Sequence, residues 1–410
     1  MEQLAVVAWV LAGWVALILV VSVTLMAVTK VRKLRRDRHV GTYPHIEPPV
    51  TVPIGGGSTA TTYTYGERLY EDMIEAIESA DERILFETYM IKGDRVGRRF
   101  KQALTDAAAR GVDVYVVYDA FGNLVVSPRF LRFARPIHSL RFPVLRLTLR
   151  LLSPRVWGRD HRKILAVDDR VAFVGGYNIG TLYATDWRDT HVRIEGAAVW
   201  ELVNAFVDFW NTHKKGGPRL RDEGAPTWDP TVRAHRNVPS QLTYPIRTMY
   251  LEAIDRARRS IRLTAAYFLP DRDIVAGLIA AARREVRVEV LLPAVSNHVI
   301  TDWLARGFFG ELLDAGVRIH RYDDWMVHAK TITIDGEWSS IGTANIDRLS
   351  LTGNYEINLE IHSAELAAHL NDVFELDLTN AKELTAAEWG KRGAARKGCE
   401  WLLRPLRPLL

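Results

Sequence analysis

The sequence predicts an α/β protein made of two related halves, preceded by an N-terminal membrane-spanning helix. Three observations predict this fold class: an uncharged apolar run near the N-terminus, a helix-to-strand pattern that occurs twice, and a five-residue motif that occurs twice. The chain has 410 residues, 48% of them hydrophobic and 25% charged, which suits two folded domains and an anchor. Its one cysteine, Cys399, excludes an intramolecular disulfide framework and favours a reducing, cytoplasmic setting.

The apolar run covers residues 4–28 and predicts a transmembrane helix, because about 20 such residues cross the hydrocarbon core of a bilayer. A cleaved signal peptide is the competing interpretation; the acidic Glu2, the length of the run and the basic cluster after it argue against it. That cluster, residues 30–38, has six basic residues and one acid. Basic residues beside a span stay in the cytoplasm, so we expect a single-pass protein of the cell membrane with a cytoplasmic catalytic body.

The body of the chain divides into two halves that repeat one pattern. Residues 74–90 and 251–268 share the spacing of a Glu-Ala-Ile triplet, a later Ala and a later Ile, where helical periodicity gives way to an apolar strand. Each half then has a second apolar run rich in β-branched residues, at 112–118 and 286–292. Strands that alternate with helices predict a layered α/β domain in each half, with a site at the seam between them.

These patterns set the expected domain boundaries. In chain order the predicted segments are a transmembrane anchor (1–29), a basic juxtamembrane segment and linker (30–62), a first domain (63–213), a linker without hydrophobic periodicity (214–232), a second domain (233–380) and a basic and apolar C-terminal tail (381–410).

A motif with the form His-x-Lys, four residues, Asp, six residues, Gly-x-x-Asn occurs once in each half. Such a match arises by chance on the order of 20⁻⁵ times per starting position, so two matches are a strong signal. In the order of the pattern, the first set is His161, Lys163, Asp168, Gly175 and Asn178, and the second set is His328, Lys330, Asp335, Gly342 and Asn345.

These residue types fit the chemistry of a phosphodiester. On a strand, the side chains of His-x-Lys lie on one face, because the strand period is two. The imidazole can attack phosphorus or deliver a proton. The lysine ammonium can neutralise the non-bridging oxygens, and the asparagine amide can donate a hydrogen bond to them. We therefore expect one nucleophile and one acid from two facing sets, with no metal and no cofactor.

Two acids recur at one offset from the motif histidines. Asp189 lies 28 residues after His161, and Glu356 lies 28 residues after His328. A carboxylate bonded to the second ring nitrogen of a histidine fixes its tautomer and stabilises the imidazolium. A solvated surface charge is the alternative for either acid alone, but the shared offset favours the orienting role.

At these motifs the chain resembles the phospholipase D superfamily and, within it, the bacterial cardiolipin synthases. The resemblance covers roughly residues 63–376. The resemblance to the superfamily rests on the duplicated motif. The narrower resemblance to the cardiolipin synthases rests on four short and less specific segments: Glu87-Thr88-Tyr89, Arg159-Asp160-His161-Arg162-Lys163, Trp187-Arg188-Asp189-Thr190-His191 and Tyr267-Phe268-Leu269-Pro270.

The resemblance implies two tandem phospholipase D-type domains, each a mixed β-sheet flanked by helices and related by pseudo-two-fold symmetry, with both motifs at their interface. It also implies that His161 is the nucleophile and His328 the general acid. Glu87 has no acidic counterpart in the second half, where Thr264 takes its place, and we expect it to contact an incoming glycerol headgroup. Bacterial cardiolipin synthases often carry two N-terminal spans, whereas this sequence shows one.

Residues 129–159 contain eight arginines, many apolar side chains and no acid. This composition is typical of an interfacial segment that docks on anionic lipid, and a pair of surface helices packed on the body is the alternative. The tail from 401 to 410 has the same apolar and arginine-rich character, and we expect it to contact the membrane as well.

The predicted function is a membrane phosphatidyltransferase, with phospholipids, phosphatidylglycerol above all, as substrates. Two molecules of phosphatidylglycerol would give cardiolipin and glycerol through a phosphohistidine. The alternatives are a hydrolase that releases phosphatidic acid, a nuclease-like phosphodiesterase, and a lipid-binding scaffold without activity. The net charge of +5 equals the excess of the 30–38 cluster, so the body is neutral overall and we expect no nucleic-acid partner.

Overall fold

The structure, a computed structural model, describes residues 2–36, 46–144, 158–221, 224, 230–323 and 325–409. Two eight-stranded sheets, one in each half of the chain, are flanked by helices. The predicted mixed α/β fold with two related halves is therefore confirmed.

The first half follows a long N-terminal helix, α1 (Glu2–Arg36). Its strands are β1 (Val50–Gly55), β2 (Ser58–Tyr63), β3 (Arg83–Thr88), β4 (Asp113–Asp119), β5 (His138–Phe142), β6 (Ile164–Val167), β7 (Val171–Gly175), β8 (Trp187–Arg188) and β9 (His191–Glu195). Its helices are α2 (Gly66–Glu78), α3 (Arg95–Ala109), α4 (Thr181–Thr185) and α5 (Val199–His213).

The second half repeats this arrangement and adds a C-terminal extension. Its strands are β10 (Val232–Arg236), β11 (Ser260–Ala265), β12 (Phe268–Leu269), β13 (Arg287–Pro293), β14 (Arg318–Tyr322), β15 (Met326–Val327), β16 (Lys330–Ile334), β17 (Trp338–Gly342), β18 (Ile346–Asp347), β19 (Ile357–His362) and β20 (Ala381–Leu384). Its helices are α6 (Pro245–Arg256), α7 (Arg272–Arg283), α8 (Val299–Asp314), α9 (Arg348–Thr352), α10 (Ala364–Leu378), α11 (Ala386–Gly390) and α12 (Ala394–Leu403), and a 3-10 segment (Arg404–Leu409) follows.

The two sheets share one strand order. The first runs β1-β2-β9-β7-β6-β3-β4-β5 and the second runs β10-β19-β17-β16-β11-β13-β14-β20. From β2 and β10 onward, seven strands correspond one to one. The parallel pairs follow helical crossovers, β3 to β4 through α3 and β11 to β13 through α7. Each His-x-Lys motif lies at the start of the equivalent strand, β6 or β16.

The central strands are buried on both faces because each sheet lies between two layers. Along β4, Val114 and Val116 pack under α2 and α3, whereas Tyr115 and Val117 face α5 and the other half. Continuous apolar runs, such as the one predicted at 112–118, are typical of strands covered on both sides.

A shared hydrophobic core joins the two halves. Val174 of β7 and Val192 of β9 belong to the same buried cluster as Ile341 of β17 and Leu359 of β19. A short parallel pair between β8 and β15 also crosses the seam. The halves therefore meet along the strands that follow the two motifs.

The predicted membrane span coincides with α1. Across the described part of the chain, no helix has the length and apolar character needed to cross a membrane. On one side, α1 lies against the second half: Ile18 and Leu25 pack on its core, and the ring of Trp14 lies 5.4 Å from that of Trp401. Other apolar side chains of the helix, among them Trp9 and Val20, are exposed.

The structure places several segments differently from the sequence prediction. The predicted linker 30–62 contains β1 and most of β2, and the predicted tail contains β20, so both sheets are wider than expected. In segment 129–159, residues 129–137 form no helix and 138–142 form β5, while 145–157 lie outside the described residues. Much of the predicted linker 214–232 and residues 37–45 of the basic segment also lie outside them.

Candidate active site

The backbone of each motif histidine is bonded to the opposite half of the chain. The N–H of His161 donates to the carbonyl of Tyr355 (3.0 Å), and the N–H of His328 donates to the carbonyl of Arg188 (2.6 Å). Each accepting residue directly precedes one of the two predicted orienting acids. The seam therefore brings both histidines together with both acids.

The two carboxylates exchange partners across this seam. The Nδ1 atom of His161 lies 3.0 Å from Oε2 of Glu356, and the Nδ1 atom of His328 lies 2.6 Å from Oδ2 of Asp189. The acid that follows each histidine by 28 residues thus orients the histidine of the other half. With Nδ1 of His161 occupied, its Nε2 atom is left for a substrate. The Nε2 atom of His328 lies 3.1 Å from Nζ of Lys330.

Further hydrogen bonds hold the carboxylates in place. The hydroxyl of Thr343 donates to Glu356 (2.6 Å), and the backbone N–H of Thr190 donates to Asp189 (2.7 Å). Gly176 occupies the position that Thr343 has in the second half. A Cβ atom at Gly176 would lie 2.1 Å from Oδ1 of Asp189, so only glycine leaves room for that carboxylate.

The two motif glycines permit the close approach of the strand that leads from each acid. A Cβ atom at Gly175 would lie 2.5 Å from the carbonyl oxygen of Thr190. At Gly342 it would lie 2.3 Å from the carbonyl oxygen of Ile357. Real Cβ contacts are never this short, so glycine at both positions lets the acid-bearing segments reach the histidines.

Both motif lysines are buried beside their histidines. The Nζ atom of Lys163 donates to the carbonyl of His161 (2.8 Å), and that of Lys330 lies 2.9 Å from Nδ1 of His328. Burial lowers the pKa of Lys163 to about 7 and that of Lys330 to about 8. Each lysine also lowers the pKa of the other histidine, so the two motifs form one electrostatic unit.

Desolvation also governs the other ionisable groups of the site. It holds the pKa of both histidines well below the usual range, and the neighbouring lysines lower it further. It raises the pKa of Asp189 to about 6 and that of Glu356 to about 8, against the lowering effect of the lysines. Such opposed shifts in one enclosed site are typical of catalytic centres. An anionic ligand would stabilise the charged form of the lysines and histidines.

The motif asparagines line the loops that follow β7 and β17. Asn178 and Asn345 are each 5% exposed. Among the described residues, their Oδ1 atoms have no hydrogen-bond partner. An unpartnered amide oxygen accepts and therefore suits a hydroxyl of a substrate, whereas the Nδ2 group is the donor that a phosphate oxygen requires.

Asp168 and Asp335, predicted as catalytic, are not brought into this site. Asp168 follows β6, five residues from Lys163, and accepts hydrogen bonds from the backbone N–H groups of residues 81–83. Asp335 accepts the equivalent bonds from residues 258–260. Five residues of strand span roughly 16 Å, so both aspartates lie at the far end of their strands and bind the helix-to-strand loops.

Glu87, predicted to contact the acceptor headgroup, also lies outside the site. Its carboxylate is fully buried and bonded to the guanidinium of Arg162 (2.5 Å), which packs on Phe209. Arg162 alternates with His161 and Lys163 along the chain, so its side chain points to the opposite face. Glu87 therefore supports the strand from behind.

Aromatic side chains surround both imidazoles. The sequence pattern alone indicates no role for these residues. The ring of Tyr89 lies 4.7 Å from that of His161, Trp187 lies 4.6 Å from His328, and Tyr267 lies 5.8 Å from His328. These residues belong to the short segments on which the narrower family resemblance rests. Thr343 is a further supporting residue that only the structure identifies.

A metal site is not apparent in the described ranges, where no three His, Cys, Asp or Glu side chains are grouped as metal ligands. The positive charge of the site comes from Lys163 and Lys330.

Comparison with known proteins agrees with this architecture. A family model described as "Cardiolipin synthase, PLD-like domain" matches residues 73–210 and 250–378. The chain is 33% identical over 362 residues to a cardiolipin synthase of Staphylococcus aureus (strain Mu50), covering 85% of this chain and 73% of that protein. It is 31% identical over 360 residues to a cardiolipin synthase of Listeria monocytogenes (serotype 4a, strain HCC23), covering 84% and 74%.

Among solved structures, the crystal structure of a phosphatidylserine synthase from Haemophilus influenzae Rd KW20 matches with a TM-score of 0.67. The match covers 92% of this chain and 98% of the synthase, at 13% sequence identity. At that identity the likeness establishes the fold.

Proposed function

We propose that this chain, which belongs to the family of cardiolipin synthases with phospholipase D-like domains, converts two phosphatidylglycerol molecules into cardiolipin and glycerol. Membership of this family makes it an enzyme of the phosphatidyltransferase and phospholipase D type. The observation that carries the proposal is the exchange of carboxylates across the seam. It orients two imidazoles, one from each half, and we propose that their Nε2 atoms serve one phosphodiester.

In the proposed first step, Nε2 of His161 attacks the phosphorus of the donor lipid. The N–P bond forms as the bond from phosphorus to the glycerol oxygen breaks, and the imidazolium of His328 gives its proton to that oxygen. Glycerol leaves, and the phosphatidyl group remains on His161. The Nζ atoms of Lys163 and Lys330, with the two motif asparagines, stabilise charge on the non-bridging oxygens.

In the proposed second step, a headgroup hydroxyl of another phosphatidylglycerol replaces glycerol. Neutral His328 takes the proton of this hydroxyl as its oxygen attacks phosphorus, and the N–P bond to His161 breaks. Cardiolipin leaves, His161 is neutral again and His328 is protonated again. The same two residues therefore serve both steps in reverse roles.

Differences between the two halves support His161 as the nucleophile. The bond from His328 to its carboxylate is shorter, 2.6 Å against 3.0 Å, and the pKa of Asp189 is raised less than that of Glu356. A close and ionised carboxylate favours the imidazolium, as an acid requires. The side chain of His161 is 13% exposed and that of His328 is 4% exposed, so His161 is the more accessible to phosphorus.

A lipid product analysis tests this function. The purified full chain, incubated with phosphatidylglycerol vesicles, is expected to form cardiolipin and glycerol in equal amounts. His161→Ala and His328→Ala are expected to form neither, while His362→Ala, at an exposed histidine of β19, keeps the activity. Phosphatidic acid as the only lipid product would support the hydrolase alternative instead. EDTA is expected to leave the rate unchanged; a loss that added metal restores would contradict the role given to the lysines.

We also propose, from the sequence of residues 4–28, that the N-terminal segment anchors the protein in the membrane by a single span, with the body in the cytoplasm. The structure itself shows no spanning helix among the described residues. The support is the uncharged run at 4–28, the basic cluster after it and the exposed apolar side chains of the helix. The full chain is expected to remain with membranes after a carbonate wash, and a chain that lacks residues 2–45 is expected to be released. Equal retention of both would contradict the anchor.

A further inference from the structure

A cavity of about 900 Å³ lies outside the two motifs, on the second half of the molecule. Five arginines contribute to its walls: Arg247, Arg272, Arg348, Arg404 and Arg407. We call it the arginine cavity. We propose that it binds the phosphate of the acceptor, a second anionic phospholipid, and holds its headgroup beside the catalytic histidines; this inference rests on the proposed transferase function.

The positive charge of the arginine cavity is only partly neutralised. Arg247 forms ion pairs with Asp271 and Asp273, and Arg272 pairs with Glu311. Within the described residues, Arg404 and Arg407 have no ion-pair partner, and the Nε atom of Arg407 is buried without a hydrogen bond. Burial lowers the pKa of Arg407, and the nearby Arg404 and Arg272 lower it further. Glu311 and Glu400 oppose this lowering without an ion-pair contact to Arg407. Adjacent guanidinium groups that lack an ion-pair contact suit a phosphate.

Apolar side chains occur around the same cavity. Leu242 and Leu349 are nearly half exposed at its wall, and Leu269 and Phe308 lie deeper, with the guanidinium of Arg407 over the ring of Phe308. A free anion requires no apolar surface, whereas a phospholipid offers a phosphate joined to apolar chains. The combined lining therefore favours a lipid over inorganic phosphate.

The arginine cavity adjoins the catalytic seam. Gly158 and Asn354 form part of its wall, and the side chain of Asn354 accepts a hydrogen bond from the N–H of Arg159. His161 follows Gly158 by three residues, and Glu356 follows Asn354 by two. Three residues of chain span at most about 10 Å, so a lipid phosphate in the cavity places its headgroup hydroxyls near the phosphorus on His161.

The cavity also adjoins the N-terminal helix. Arg404 lines a second cavity, of about 370 Å³, together with Trp14 of α1, Trp401 and Pro405. With α1 at the membrane, as proposed above, a phospholipid beside this helix would reach the arginine cavity without leaving the membrane surface.

The test compares products rather than total activity. In Arg404→Gln/Arg407→Gln, assayed on phosphatidylglycerol vesicles, we expect the ratio of cardiolipin to phosphatidic acid to fall at least roughly tenfold, since lost bonds to a charged group have effects of this size. Arg404→Gln alone keeps the packing of Arg407 on Phe308 and is expected to lower the ratio in the same direction. Arg98→Gln/Arg99→Gln, on the exposed face of α3, is the matched control.

An unchanged ratio in Arg404→Gln/Arg407→Gln, while the wild-type chain makes cardiolipin, would overturn this inference alone. A wild-type chain that makes no cardiolipin would overturn the proposed function itself. Inorganic phosphate in tenfold excess over lipid is expected to leave the wild-type ratio unchanged; a fall to the level of the double variant would assign the cavity to free phosphate and overturn the lipid assignment.

Discussion

Each motif histidine receives its orienting carboxylate from the opposite half of the chain. A negative charge at Nδ1 raises the pKa of an imidazole, whereas burial and the two lysines lower the pKa of both motif histidines. The balance decides which ring is neutral and which is protonated at a given pH. Substitution of Asp189, the acid that is ionised at neutral pH, should therefore displace one limb of the pH-rate profile.

Asp189→Asn removes the negative charge beside His328, so the pKa of His328 should fall. The alkaline limb of a bell-shaped profile of kcat/KM, which reports loss of the general acid, is expected to move to lower pH. Burial raises the pKa of Glu356 to about 8, so its carboxyl is already neutral at the acidic limb, and Glu356→Gln is expected to leave that limb in place. Profiles measured between pH 5 and 9 check this; identical limbs in Asp189→Asn and wild type would contradict the pairing.

Lys163 illustrates a conflict between stability and activity. The pKa of Lys163 in the folded protein is lowered to about 7, well below the usual value for lysine. Below pH 10 the unfolded chain therefore binds a proton at this lysine more tightly than the folded protein does, and this lowers the free energy of unfolding. Lys163→Met should therefore raise Tm by a few degrees near pH 7 and abolish lipid transfer. Lys215→Met, at an exposed lysine, should change neither. A lower Tm for Lys163→Met would contradict this account of the lysine.

At this scale the sequence predicted the residue types better than their contacts. The sequence identified the motif residues of both halves, His161 with Lys163 and His328 with Lys330, because one five-residue motif occurs twice. Asp168 belongs to the same motif but binds backbone N–H groups, and a spacing pattern cannot separate contact with substrate from contact with a loop. The aromatic neighbours of the histidines come from distant segments, so no local signal gave them a role.

The loops that connect α2 to β3 and α6 to β11 are held by the two aspartates at the far ends of β6 and β16. Each carboxylate accepts three backbone N–H bonds, and each residue has a positive φ, 51° for Asp168 and 56° for Asp335. Asp and Asn tolerate this left-handed conformation better than most residues. The aspartates therefore join a turn to the loop of the neighbouring helix.

Asp168→Asn keeps the turn conformation but weakens the bonds to residues 81–83. We expect a loss of roughly 1–3 kcal/mol in the free energy of unfolding, measured by denaturant, with kcat per folded molecule kept. Asp169→Asn, at the adjacent exposed residue, should cost less than about 1 kcal/mol because its pair with Arg83 is at the surface. A large fall in kcat without a fall in stability would contradict this and support a catalytic role for Asp168.

The elements missed from the sequence have a physical explanation. β1 contains Pro53 and ends at the first of three consecutive glycines, a composition typical of a linker. The strand nevertheless lies at the edge of its sheet, where proline is tolerated. β20 occupies the opposite edge of the other sheet. Edge strands depend on a neighbouring strand that the local sequence does not reveal, whereas the central strands have a strong apolar signal of their own.

At the scale of the whole molecule, the seam is both the structural and the catalytic centre. Arg188 of the first half forms a bidentate, buried ion pair with Asp377 of α10, and the same guanidinium bonds the carbonyl of Asp189. Duplication of the motif predicted that the halves would meet. It could not predict that the carboxylates exchange partners, because equal offsets describe a within-half pair equally well.

Asp377→Asn should leave Arg188 buried without its counter-charge. We expect a loss of about 3–5 kcal/mol in the free energy of unfolding, the range for broken buried pairs. Because Arg188 also positions Asp189, the alkaline limb of the pH-rate profile should move in the direction seen for Asp189→Asn, by less. Asp372→Asn, at an exposed residue of the same helix, should be neutral in both measurements. Stability equal to the wild type would contradict the importance of the pair.

The central claim is that one imidazole attacks phosphorus while the other serves the leaving group and the acceptor. A p-nitrophenyl phosphodiester needs no acid to expel its leaving group, so His328→Ala should still form the covalent intermediate and should lack the base that resolves it. Mass spectrometry of peptides from this variant is expected to find the phosphoryl adduct on His161, and none in His161→Ala/His328→Ala. An adduct on any other residue, or its complete absence, would contradict the account.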